Sequence, residues 1–143
     1  MEVRFSGHSA YRTQYHIVFV TKYRRRALNP VKFRQVADHH IRAIAGEIDG
    51  MEIEELNIQP DHVHIMAIIP PRYAVSKVVE IIKSQSTRKI REEIPWLDKI
   101  YYGTSALWTV GYFVSTVGID EEVIRRYVRY QTEQDSGQAK LEL

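Results

Sequence analysis

Three features predict an α+β fold: an antiparallel sheet with two helices on one face, followed by a further helix near the end of the chain. Apolar alternation over residues 14–23 and an unbroken β-branched run over 63–69 have the character of strands. Helical spacing over 30–48 and 74–93 separates the strands in the order β-α-β-β-α-β. A last amphipathic stretch starts at Asp120. No linker, repeat or low-complexity tract divides the 143 residues, so 1–143 is read as one domain. Residues 1–10 form an N-terminal extension and 133–143 a polar tail expected to fray.

Strand one alternates Tyr15, Ile17 and Phe19 with His16, Val18 and Val20. It runs into Lys22-Tyr23-Arg24-Arg25-Arg26, a basic cluster interrupted by an aromatic. That mixture suits single-stranded nucleic acid, because cations track phosphates while rings stack on bases. Asn29-Pro30 starts helix one, with Asn as cap and Pro in the first turn. Phe33, Val36, Ala37, Ile41, Ile44 and Ile48 line its apolar stripe, and Asp49-Gly50 ends it.

Strand two covers 51–58, where the apolar phase slips at Glu54-Glu55 and predicts a bulge or an exposed edge. Three residues, Gln59-Pro60-Asp61, turn the chain into strand three. That strand is apolar on both faces after its histidines, as a central strand should be, and Pro70-Pro71 stops it. Helix two buries Val75, Val78, Val79, Ile82, Ser86 and Ile90, and carries Lys83 and Arg88 among its basic residues. Strand four is expected over 107–117. The pattern is ferredoxin-like (RRM-like), with the second sheet face left for a partner, a ligand or the last helix.

Composition narrows the function. The absence of cysteine excludes disulfides and thiolate metal sites. No run reaches the length of a membrane span, which makes a cytoplasmic protein the expectation. The net charge of +2 is small, but it is segmental: +7 over 1–42, −6 over 43–65, +5 over 66–91 and −4 over 92–143. Folding could gather the basic segments into one surface.

Two constellations carry chemistry. His62 and His64 sit at i and i+2 of strand three, so both imidazoles project from one face while Val63 points away. Such a pair is a metal-ligand motif, and in isolation it is more often a solvent-edge feature. On the last helix, Ile124, Tyr127, Val128 and Gln131 share one face, with Tyr127 and Gln131 one turn apart. A carboxamide on a packing stripe needs partners, and a metal is one. Two imidazoles, an amide oxygen and a phosphate together suit Mg²⁺ or Mn²⁺, which would let a tyrosine attack phosphorus.

These residues resemble the small single-tyrosine HUH transposases of bacterial and archaeal insertion sequences, of the 200/605 type. The likeness is collinear over residues 11–131 and rests on four pieces. They are Tyr15-His16-Ile17-Val18-Phe19-Val20-Thr21-Lys22-Tyr23-Arg24, the Asp61-His62-Val63-His64 motif, Leu107-Trp108 through Phe113-Val114-Ser115-Thr116-Val117-Gly118, and Tyr127-Val128-Arg129-Tyr130-Gln131.

The resemblance implies that His62, His64 and Gln131 hold a divalent metal, Mg or Mn. It implies that Tyr127 attacks a DNA phosphate, forming a 5′-phosphotyrosine and a free 3′-OH that later rejoins the strand. Single-stranded DNA with subterminal hairpins is the implied partner, and a homodimer the implied assembly, with the tyrosine helix able to serve the other subunit's site. Tyr130 lacks the i+4 relation to Gln131 and is read as a packing or stacking residue. Lys22, Tyr23, Arg24, Arg25, Arg26, Lys83 and Arg88 are the expected DNA contacts. Three other readings are a domesticated relative that processes chromosomal hairpins, a non-catalytic single-strand-binding module, and a metal-dependent hydrolase that would form no covalent intermediate.

Overall fold

The computed structural model describes residues 3–116 and 118–135. Residues 4–11 form a small antiparallel hairpin, β1 (Arg4–Ser6) and β2 (Ser9–Tyr11), that turns at Gly7. The sequence suggested only an extension there. An Arg4–Glu52 ion pair and a hydrogen bond from Arg72 to Ser6 Oγ (3.2 Å) tie the hairpin to the body.

The main sheet holds β3 (Gln14–Val20), β4 (Glu52–Ile58), β5 (His62–Ile68) and β6 (Phe113–Ser115) in the order β4-β5-β3-β6, every pair antiparallel. This is the ferredoxin-like order, with β3 and β5 central as their two-sided apolar sequences require. The expected phase slip is a β-bulge between Ile53 and Glu55, on the edge strand β4.

Helices α1 (Val31–Gly46) and α2 (Val75–Glu93) cover one face. Their stripes, including Ile41, Val79, Ile82 and Ile90, pack with Ile17, Phe19, Val63, Ile65 and Ala67 in the main core. Helix α4 (Glu121–Asp135) covers the other face, where Val18 and Val20 meet Tyr127 and Val128. Its cap is as expected, with Val123 N donating to Asp120 Oδ1 at 2.9 Å.

Several boundaries differ from the sequence reading. β3 ends at Val20 rather than at 23, because residues 22–24 form a 3₁₀ turn (Lys22–Arg24). α1 has no side-chain cap, so Asn29 does not act as one. Instead its own carbonyl accepts a hydrogen bond from Arg34 Nη1. α1 also ends at Gly46, and the chain reaches the left-handed Gly50 through a further turn.

The expected strand over 107–117 shrinks to β6. Trp108 pairs with Thr21 only as an isolated bridge, Gly111 is left-handed at φ 94°, and Lys83 Nζ captures the carbonyls of Thr109 and Gly111 at 2.7 Å each. Those acceptors are thereby drawn away from a ladder. A short helix, α3 (Leu97–Ile100), precedes this segment without a strong sequence signal. The tail does not fray at Glu133: α4 continues to Asp135, whose side chain is bonded to the body. The rest of the expected tail, and Val117, lie outside the described residues.

Gly50 adopts φ 87°, and a Cβ there would stand 2.7 Å from Pro70 Cγ. Gly50→Ala should therefore lower stability by about 2 kcal/mol, measured by urea denaturation, since strain and overlap add.

Candidate active site

The two-residue period of β5 and its register with β3 assemble the site. His64 stands opposite Val18 and His62 opposite Val20, so both histidines lie on the face that α4 covers. Each ring is held by a neighbour. His62 Nδ1 donates to Asp61 Oδ1 at 2.8 Å, and Asp61 Oδ2 accepts from Arg24 Nε at 3.1 Å. Burial works against the Asp61 carboxylate, but the bonds from His62 and Arg24 outweigh it and hold its pKa below the ordinary value.

His64 Nε2 lies 3.3 Å from His16 Nδ1 on the neighbouring strand. Burial lowers the pKa of His64, and His16 and His62 nearby lower it further against the pull of Glu55. A neutral imidazole is the form that binds metal. A pocket of about 300 Å³ opens here, and its lining includes both histidines, Asp61, Arg24 and, from α4, Glu121 and Arg125.

The second constellation is intact but set apart from the first. Tyr127 and Gln131 are both buried, and the Gln131 amide donates to the Tyr127 hydroxyl. Burial pushes the Tyr127 phenol well above its ordinary pKa; Tyr130 and Tyr112 add to that, and the Gln131 bond opposes it. The Tyr127 ring packs on Phe113 at 5.6 Å and on Tyr130 at 6.2 Å.

Sheet order converts these contacts into a separation. His64, Val18 and Phe113 form one row across β5, β3 and β6. Two strand spacings, about 10 Å, therefore lie between the His64 and Phe113 backbones. α4 straddles the Val18–Val20 ridge, turning Ile124 and Val128 toward the histidine pocket and Tyr127 toward β6.

The donor chemistry suits a hard or borderline divalent metal. Two imidazoles share a face, a carboxylate orients one of them, and Gln131 Oε1 is a buried acceptor without a hydrogen-bond partner among the described residues. Among those residues no three His, Asp or Glu side chains form a ready-made cage.

Comparison with known proteins fits this arrangement. Residues 9–131 match the family described as IS200-like transposases. The chain belongs to that family. It is 34% identical over 129 residues to the transposase for insertion sequence element IS200 of Salmonella typhimurium, covering 90% of this chain and 83% of the relative. It is 27% identical to the ISDra2 transposase TnpA of Deinococcus radiodurans, over 94% of this chain and 95% of that one. A Deinococcus radiodurans R1 crystal structure described as a transposase superposes with a TM-score of 0.78 at 26% identity, over 90% of this chain and 97% of that chain. A REP-associated tyrosine transposase bound to a REP hairpin superposes at 0.53 with 18% identity, over 93% of this chain and 74% of its own, a likeness of fold.

The expected DNA contacts of this IS200-like transposase divide by layer. Tyr23, Arg24, Arg25 and Arg26 are exposed and Lys22 is half-buried; of these, Arg24 lines the histidine pocket. Lys83 and Arg88 belong to α2, in the opposite layer. Lys83 is spent on the two carbonyls already described, and burial pulls its ammonium down to about 8. Arg88 is exposed in a groove with Arg91 and Asp98. No helix among the described residues is long and apolar enough to cross a membrane.

Sequence reasoning missed His16 as the neighbour of His64. Its parity with Val18 and Val20 was the available signal, but only the β3–β5 register shows which histidine it meets. Gln131→Met keeps the shape of the side chain and removes the unpartnered oxygen. The variant should lose no more than about 1 kcal/mol in urea denaturation, because the amide contributes one ordinary bond to the fold; a loss above about 3 kcal/mol would show that its place is structural.

Proposed function

We propose that this protein cuts and rejoins single-stranded DNA at insertion-sequence ends, with Tyr127 as nucleophile and His62, His64 and Gln131 as ligands of Mg²⁺ or Mn²⁺. The observation that carries the reading is the shared sheet face: the histidine pair on β5 and the helix bearing Tyr127 and Gln131 lie on the same side. Family membership and the exposed cluster Tyr23–Arg26, whose Arg24 lines the pocket, support a DNA substrate.

When bound, the metal would polarise the scissile phosphate and offset developing negative charge. The chain's own residues do the rest. Asp61 orients His62, and His16 orients His64. Arg24 and Arg125 at the pocket supply cations for a strand's phosphates. The Tyr127 oxygen bonds to phosphorus, the 3′ oxygen leaves as a 3′-OH, and a 5′-phosphotyrosine remains. A later 3′-OH reverses the exchange and frees the phenol. No water is consumed, so bond energy is conserved between strands. The preference for subterminal hairpins follows from the resemblance to this transposase type.

The ridge between Tyr127 and the histidines favours a homodimer in which the helix of one subunit serves the pocket of the other. Tyr127→Phe, given a labelled single-stranded hairpin and Mn²⁺, should form no covalent protein–DNA adduct in denaturing gels; a persisting adduct would name another nucleophile. His64→Ala should likewise form none, yet still bind the strand without metal. Mixing the two inactive variants and allowing subunits to exchange should restore adduct on the His64→Ala chain. Failure to restore it would mean that each tyrosine serves its own subunit.

A further inference from the structure

The turn after β3 is held firmly from behind. Lys22 N donates to Leu107 O at 2.8 Å, and Lys22 O accepts from the buried Tyr101 hydroxyl at 2.9 Å. Thr21 Oγ1 donates to Arg25 O at 2.6 Å. Within these ties Tyr23 and Arg24 adopt φ values of 58° and 53°, a left-handed conformation costly for residues with a Cβ. The strained turn brings three donors to one point: the Tyr23 backbone N–H, the Lys22 ammonium and the hydroxyl of buried Thr109.

A carboxylate from the far end of the chain fills that point. Asp135 Oδ2 accepts from Tyr23 N at 3.0 Å, and Oδ1 accepts from Thr109 Oγ1 at 2.6 Å and from Lys22 Nζ at 3.3 Å. Its side chain is only 8% exposed. A backbone N–H, a hydroxyl and an ammonium are the donors that proteins offer to phosphodiester oxygens. Next to them the exposed Tyr23 ring has Lys22 Nζ at 5.1 Å and the Arg25 guanidinium at 6.0 Å. That is a stacking surface for a base adjoining the phosphate.

We propose that this turn is a phosphodiester site for single-stranded DNA, and that Asp135 occupies it as an internal anion in the free protein. Two anions cannot share one set of three donors at hydrogen-bond distance, so strand binding and docking of the last turn of α4 exclude each other. Asp135 lies about two helical turns beyond Tyr127. A strand entering the turn therefore displaces the carboxylate and loosens the helix that bears Tyr127. The inference rests on the strand-transfer reading for its DNA substrate, and adds a built phosphate site and its competitor.

The test uses the full chain in EDTA, where no cleavage occurs, with a short fluorescein-labelled oligothymidylate at physiological ionic strength. Asp135→Asn should bind it roughly three- to tenfold more tightly than the unaltered chain, because the internal competitor loses its charge. Glu80→Gln, the same charge change on an exposed part of α2, measures the non-specific share. Adding Lys22→Gln to Asp135→Asn should abolish the gain. In the unaltered chain, the oligonucleotide should raise amide hydrogen exchange in the last two turns of α4.

Binding by Asp135→Asn no tighter than by Glu80→Gln would overturn the proposal. So would unchanged exchange in α4 at saturating oligonucleotide, a measurement that needs no variant. Neither readout involves metal or covalent chemistry. Loss of the Tyr127 adduct reading would leave this result standing, and the reverse also holds.

Discussion

Strand β3 is apolar on both of its faces, and the arrangement of the molecule follows from that constraint. Ile17 and Phe19 point into the core beneath α1 and α2, while Val18 and Val20 point the opposite way. An apolar ridge on the second face cannot remain in water without cost, and α4 is what covers it. The histidine pocket lies at the flank of that covering helix, where β5 emerges beside it. Had residues 18 and 20 been polar, the sheet would have stayed two-layered and the histidine pair would lie on an open face.

The seam beneath α4 is narrow. Four buried residues, Val18, Val20, Tyr127 and Val128, form it, with Phe113, Ile119, Ile124 and Tyr130 packed at the margins. At the C-terminal end of the described helix the Asp135 carboxylate adds polar bonds to Lys22, Tyr23 and Thr109, while Asp120 caps the helix start locally. The Tyr127 phenol is buried and hydrogen-bonded to Gln131, and burial raises its pKa.

Charge links the two parts of the surface. Arg24 belongs to the basic turn, yet its guanidinium is bonded to Asp61, which in turn orients His62. Arg24, Asp61 and His62 thus form one connected run of hydrogen bonds from the turn to β5. The segmental charge of the sequence has a spatial meaning here. Arg24 of the basic run is paired with Asp61 of the acidic segment, whereas Lys83 and Arg88 lie on α2 in the opposite layer.

Much of this was legible in the sequence wherever the information was local. Period-two alternation assigned His62 and His64 to one face of one strand, and the i, i+3, i+4, i+7 stripe assigned Tyr127 and Gln131 to one face of one helix. The bulge at Glu54-Glu55 was visible as a phase slip. The segment 107–117 misled because its residues are β-formers, whereas a long-range lysine and a left-handed glycine decide its path.

The sequence by itself therefore determined the membership of each face and the pairing of residues within each element, since helix and strand periods depend only on nearby residues. Only the tertiary structure decided how far Tyr127 stands from the histidines, which neighbour His64 has, and that Asp135 closes on the turn at Lys22. Those relations depend on strand order, register and the ridge over which α4 lies, and no local period encodes them.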